Sequence, residues 1–486
     1  MLTKVLKANG VYAIGSAANG IALFLLIPYL INHLSPTEYG AWALFEVGIM
    51  LLTMVVLMGL DVGLMREYWF LTDETSRARL TGTIIGFVTV WGGLLVVVLS
   101  ALATTLSHWW KLPETPQTLL LATASGFFEA LLALWLTLFR IRERAFTFAA
   151  LSCGRMLLFL SGAILFVRMG MGLSGALAGR LLAASIALVV AVAIGRQHVH
   201  WTFDMVHLRR VARYGLPLLP TNLATYVLLA SDRYILQSFS TLEVVGIYTF
   251  AYKIATTLDV LITRPFAIDW APRRFKIATA SDAPRKYALI LLGYLFVGTL
   301  AALLIVAVTP AIYQWIAPVV YHQGMAVVPI ILAAYLIYGL SYPLNVGIML
   351  KDKTVYLALL GIASAGICLA LNFWLIPMYG MMGAAYATLI AYLLWTGGIA
   401  WVSLRLYPVP YSLRLLLLIG LNAILCYAGI HVLGQGGIGD GKSIMHSVIK
   451  LIWVLMTFSG LGYVLTRKTG VSIFARSKPT RQVEPL

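Results

Sequence analysis

Eight charged side chains sit where charge is expensive. Asp61, Glu129, Arg155, Arg180, Asp232, Arg233, Lys253 and Asp259 all fall inside or at the edge of apolar runs of this 486-residue chain. An ionised group at the centre of a bilayer costs at least about 2.5–3.5 kcal/mol on insertion scales, so such groups face a cavity, a partner or a substrate. The cations among them, Arg155, Arg180, Arg233 and Lys253, suit an anion, because charge-assisted bonds to phosphate or carboxylate are roughly twice as strong as neutral ones. They suit structural ion pairs equally, and for Arg155 and Arg180 the sequence leaves both readings open. The acids Asp61, Glu129, Asp232 and Asp259 are candidates to bind and release a proton or a sodium ion, since burial and neighbouring charge set a carboxylate's protonation. Together they describe the chemistry of a transporter.

Such groups need helices to carry them across a membrane. Hydrophobic residues make up 61% of the chain and charged residues 11%, and mean hydropathy is +0.90, which excludes a water-soluble globule. Runs of about 20 apolar residues span the hydrocarbon, and fourteen can be counted, from 10–32 to 446–466. The net charge of +17 is no sign of nucleic acid: 27 Lys and Arg collect in alternate loops, against three (Lys111, Arg168, Lys442) in the others. The positive-inside rule then places both termini in the cytoplasm, which requires an even number of spans. Cys153, Cys368 and Cys426 fall within spans and read as small packing residues. The first apolar run lacks a small-residue cleavage site and reads as a retained span.

The second half restates the first. LSPTEYG, with Glu38 and Gly40, is echoed by FSTLEVVG, with Glu243 and Gly246. The inner turn Glu143-Arg144 recurs as Asp352-Lys353, and the outer turn with Gly172, Gly175 and Ala176 recurs with Gly380, Gly383 and Ala384. Copies six spans apart share one orientation, related by an axis along the membrane normal. The expected fold is all-α and polytopic: two six-helix bundles, 1–200 and 201–405, then two further helices and a basic tail in 406–486.

Other features have plainer readings. Gly436–Ser443 match G-x-x-x-x-G-K-S, but that motif needs a strand before it and a helix after it in a βαβ unit. Here it follows a membrane helix, so it reads as a flexible connector. His198, His200 and His207 lack a completing ligand at metal spacing, so no metal and no cofactor are expected. Tyr68 and Trp69 read as an aromatic belt. Tyr335, Tyr338 and Tyr342 share one helix face, for packing or for stacking on a sugar. No zinc-protease or serine-hydrolase motif is present, and the expectation is not an enzyme.

The segments GLPLLPTNLATYVLLASDRYIL, EVVGIYTFAYKIA, PIILAAYLIYGLSYPLNVGIMLKDKT and LNFWLIPMYGMMGAAYATLIAY, with LSPTEYGAWAL near the start, resemble bacterial polysaccharide flippases of the multidrug/oligosaccharidyl-lipid/polysaccharide exporter superfamily. The resemblance covers essentially the whole chain. It implies movement of an undecaprenyl-pyrophosphate-linked oligosaccharide from the cytoplasmic to the periplasmic leaflet, for O-antigen, capsule or exopolysaccharide. It also implies alternating access coupled to H+ or Na+, with a polysaccharide polymerase and a chain-length regulator as partners in a bacterial inner membrane. Asp232-Arg233, Gly246, Tyr248, Lys253, Pro343, Asn372, Pro377, Gly380 and Gly383-Ala384 carry the family pattern. On that basis Arg155, Arg180, Arg233 and Lys253 are expected to contact pyrophosphate or acidic sugar, and Asp61, Glu129, Asp232 and Asp259 to serve ion coupling. The alternatives are a cation-coupled drug antiporter of the same superfamily and, from another class, a membrane polysaccharide polymerase.

Overall fold

The computed structural model describes residues 25–102, 105, 116–433 and 443–469. The start of the first expected span, the Gly436–Lys442 part of the glycine-rich motif and most of the basic tail lie outside them. Every regular element among the described residues is a helix.

Contacts group the chain into two units. The first takes Met1–Tyr252, Ile316–Val327 and Ala358–Ala391, and the second takes Lys253–Trp315, Val328–Leu357 and Tyr392–Leu486. In the first lie α1 (25–33), α2 (Pro36–Leu57), α3 (Leu60–Phe70), α4 (Glu74–Ala101), α5 (Pro116–Ile141), α6 (Ala145–Phe166), α7 (Gly172–Gly195), α8 (Met205–Gly215), α9 (Leu219–Phe239) and the start of α10 (Leu242–Leu258). The second holds α11 (Arg264–Ala278), α12 (Ala283–Ile316), α13 (Val328–Leu344) and α14 (Val346–Leu350). Most of α15 (Val355–Tyr379) belongs to the first unit, α16 (Met381–Leu406) is divided, and α17 (Leu413–Val432) and α18 (Ser443–Thr469) complete the second.

Eleven described segments are long and apolar enough to cross a membrane, beside the fourteen counted in the sequence. One of the eleven, Ala145–His198, contains both α6 and α7, which turn at Gly170 (φ +82°) and Gly172 (φ +51°). Helix α9 falls outside the eleven, although its 21 residues match a span in length, because it carries Asp232, Arg233 and several hydroxyls. The chain is a multi-span membrane protein.

Small residues set the close packing, as expected where lipid offers helices no hydrophobic reason to associate. In the first unit a Cβ on Gly40 would collide with the Leu242 carbonyl, and one on Gly246 would lie 2.5 Å from the Pro36 carbonyl oxygen. A Cβ on Gly162 would meet Gly179 Cα at 3.3 Å, so α6 and α7 touch backbone to backbone. Trp135, Phe139 and Leu134 of α5 fill the core with Leu80 and Ile84 of α4 and Ala187 and Ala191 of α7. Amphipathic α8 lays Leu208 and Val211 on this core, its first turn capped by Asp204, which accepts from Val206 N at 2.8 Å.

The repeat is visible in local geometry. Ser35 Oγ accepts from Glu38 N at 3.2 Å to start α2, and Thr241 Oγ1 accepts from Val244 N at 3.3 Å to start α10. Ser35 and Thr241 are 206 residues apart, as are Gly40 and Gly246, so the register matches Glu38 with Val244 and not with Glu243. Glu143 (φ +55°) and Asp352 (φ +53°) both adopt the left-handed conformation. The following amides close the same loop, Arg144 N to Phe139 O at 2.8 Å and Lys353 N to Ile348 O at 3.0 Å. Gly172 (φ +51°) and Gly380 (φ +56°) form the third matched pair.

Within the second unit Phe296 packs on Phe458, and Trp270 Nε1 donates to Tyr342 O at 2.8 Å. Tyr335 and Tyr338 pack on Tyr392, with ring centroids at 6.2 and 5.0 Å, so the tyrosine face is a packing face.

Candidate functional site

Three helices of the first unit converge on one carboxylate. Glu129 on α5 accepts from Arg155 Nη1 of α6 at 2.9 Å, from Arg180 Nε of α7 at 2.9 Å and from Arg180 Nη2 at 3.1 Å. The three side chains are 15%, 18% and 14% exposed, so the cluster is mostly withdrawn from its surroundings yet not sealed. The α6–α7 hairpin makes this possible: the Gly162–Gly179 approach draws the two helices together beside α5. Two guanidinium groups share one carboxylate, and Glu46 of α2 acts on Arg180 electrostatically as a second counter-charge. Arg180 Nη1 is buried and makes no hydrogen bond among the described residues. An unsatisfied buried donor of this kind is a place for an acceptor oxygen.

Asp232 and Arg233 form a second, tighter cluster. Both are buried on α9. Asp232 Oδ1 accepts from Arg233 Nη1 at 3.1 Å, and Oδ2 accepts from Tyr248 Oη of α10 at 2.5 Å. Arg233 Nη1 also donates to Leu229 O at 2.9 Å, and its guanidinium lies 4.2 Å from the Tyr252 ring centroid. The arrangement ties α9 to α10, and its closure fits the rule that a buried charge needs a partner.

The other expected site residues are Asp259, Asp61 and Lys253. In the second unit, Asp259 begins a π turn at Asp259–Thr263 and accepts from Arg264 Nε at 2.7 Å. Asp61 lies in the first turn of α3, next to the left-handed Met58-Gly59 kink, in the field of Arg140. Lys253 is half-buried on α10. Tyr68 is buried and accepts from Arg142 Nη1 at 2.7 Å, so it is a structural anchor; its neighbour Trp69 is 61% exposed, as a belt residue should be. The deep charges on neighbouring spans were visible in sequence, whereas Tyr248 as partner of Asp232 was not. Its signal is weak: one hydroxyl 16 residues on, across a helix break.

Beside α9 lies an apolar cavity of about 570 Å³, lined from α2, α4, α5, α9 and α15. Tyr226 and Tyr234 face it and donate to the carbonyls of Val47 at 3.1 Å and Leu44 at 3.0 Å, which holds α9 against α2. Apart from those tyrosines and two hydroxyl side chains, Thr123 and Ser231, its lining is apolar.

Long apolar hairpins, small-residue contacts and buried charge clusters define a multi-span membrane protein. The family model described as "Polysaccharide biosynthesis protein" matches residues 5–278, and the chain belongs to that family. Among solved structures it is similar to the lipid II flippase MurJ in its inward closed conformation, with TM-score 0.76, 13% identity, and coverage of 94% of this chain and 100% of that one. It is also similar to an inward-facing multidrug resistance MATE family transporter of the MOP superfamily (TM-score 0.61, 15% identity, 81% of this chain and 94% of that one). A MOP superfamily transporter from Pyrococcus furiosus, whose structure is described by a binding pocket of reversed polarity, matches with TM-score 0.53 and 12% identity over 84% of this chain and 96% of its own. At these identities the likeness shows a shared fold and nothing beyond it. Sequence comparison with curated proteins gives no match.

Proposed function

We propose that this protein is a lipid-linked oligosaccharide flippase, moving undecaprenyl-pyrophosphate-linked repeat units from the cytoplasmic to the periplasmic leaflet of a bacterial inner membrane. Its two repeated lobes, 1–200 and 201–405, alternate access, with both termini cytoplasmic and an H+ or Na+ gradient as the energy source. The observation that carries the reading is the Glu129 triad: two guanidinium groups on one carboxylate, with Arg180 Nη1 left over. That spare donor, beside a carboxylate shared by two guanidinium groups, suits a pyrophosphate, which arginine binds in bidentate fashion. A cation-drug antiporter gains nothing from it.

In this scheme Arg155 and Arg180 hold the phosphates, with Arg233 and Lys253 as further contacts. Glu129 exchanges between its two arginines and the coupling ion as the phosphates arrive and leave, and Asp61, Asp232 and Asp259 are the other coupling candidates. The test is export of surface polysaccharide by Arg155→Ala and Arg180→Ala variants that remain folded in the membrane. Both should lose export; full export by both would overturn the assignment.

A further inference from the structure

A second basic cleft lies well along the chain from the triad, at the end of α3 and under α8. Arg66, Glu67, Arg210, Arg213 and Tyr214 line a space of about 430 Å³, more than ten times the ~30 Å³ that one water occupies in the liquid. Glu67 is the only acid lining the cleft, and it is 3.6 Å from Arg66, so three guanidinium groups leave an excess of two positive charges. Arg66 is held in place by rings: its guanidinium carbon lies 4.6 Å from the Tyr214 centroid and 5.3 Å from that of Phe70. Arg210 and Arg213 point from the exposed face of α8, whose opposite face is fixed by Leu208 and Val211.

The surroundings say what kind of anion belongs there. Phe70, whose ring lies on Arg66, is more than half exposed, as are Trp69 on α3, Met205 and Val206 on α8, and Trp201 and Phe203 just before it. Exposed aromatic and aliphatic side chains beside a basic pocket suit the headgroup level of a bilayer, where basic pockets hold anionic lipid headgroups. By the count of Lys and Arg in alternate loops, this is also the cytoplasmic side, which carries the anionic lipids. We infer that the cleft is a binding site for the phosphodiester of an anionic bilayer phospholipid, distinct from the Glu129 triad and independent of the cargo. A bound headgroup would pin α8 to α3 and so brace the kink at Gly59, where a Cβ on Gly215 would clash with the Gly59 carbonyl.

The site is tested with the full-length protein in detergent, by native mass spectrometry during titration with phosphatidylglycerol, phosphatidylcholine or inorganic pyrophosphate. Wild type should bind phosphatidylglycerol in preference to phosphatidylcholine. The double variant Arg210→Gln/Arg213→Gln should bind it roughly tenfold more weakly, whereas Arg209→Gln, on the same helix outside the cleft, should bind as wild type does. Arg210→Lys/Arg213→Lys should restore part of the loss, and unchanged thermal unfolding of all variants excludes misfolding as its cause. Undiminished phosphatidylglycerol binding by the double variant, or an equal loss in Arg209→Gln, would overturn the site. Tight, variant-sensitive binding of free pyrophosphate would overturn the lipid assignment and give the cleft to the cargo. None of these outcomes depends on whether export requires Arg155 and Arg180.

Discussion

Arg180 grips Glu129 through two parallel bonds, Nε to Oε1 and Nη2 to Oε2, while Arg155 adds one more to Oε1. The inequality orders three substitutions. Glu129→Gln removes the carboxylate charge that both guanidinium groups share and should cost about 3–5 kcal/mol, the usual penalty for breaking a buried ion pair by removing one partner. Arg155→Ala removes one charge-assisted bond and leaves the bidentate pair, so about 1.5–3 kcal/mol is expected, with Arg180→Ala in between. Thermal unfolding of the detergent-solubilised variants gives the order directly; a Glu129→Gln protein as stable as Arg155→Ala would show that the triad is not a compensated cluster.

Tyr248→Phe deletes the hydroxyl that donates to Asp232 Oδ2 and changes little else in a fully buried ring. A hydrogen bond to a charged group contributes about 1.5–3 kcal/mol, and the variant should lose that much stability. Because the Asp232-Arg233 pair would persist within α9, export at permissive temperature should survive. Loss of export with unchanged stability would move Tyr248 from an anchoring role into the transport path.

Glu143 holds a φ of +55° on an exposed turn, where a residue with a Cβ is strained and glycine is not. Glu143→Gly should therefore stabilise the protein by up to about 1 kcal/mol. Asp352→Gly, at the matching turn, should gain less, because Asp tolerates the left-handed conformation better than Glu. Destabilisation by both would mean that the side chains make contacts that the turn geometry does not reveal.

The membrane class and the helical fold were legible in sequence because they rest on a local quantity, apolar run length, and the three echoed turns because they rest on turn residues. The repeat even carried matched backbone geometry at Glu143 and Asp352. What sequence left open was partnership. Glu129, Arg155 and Arg180 were each recognisable as deep charges, but they lie 26 and 51 residues apart on three helices, and only helix rotation decides whether they meet. Charge balance on three consecutive spans was the available signal. Tyr68 misled for the opposite reason: beside exposed Trp69 it reads as belt, and only the inward turn of α3 shows it on Arg142. The echo of LSPTEYG placed Glu243 opposite Glu38, one residue out of register, because letter identity outweighed the capping pattern that Ser35 and Thr241 share.

The most direct measurement is the state of lipid-linked sugars in a bacterium lacking this protein. The account predicts that surface polysaccharide disappears while complete repeat units accumulate on their lipid carrier, facing the cytoplasm, and that mass spectrometry of that lipid identifies the cargo. Single repeat units reaching the periplasmic face unpolymerised, or lipid-linked pools unchanged from wild type, would contradict it.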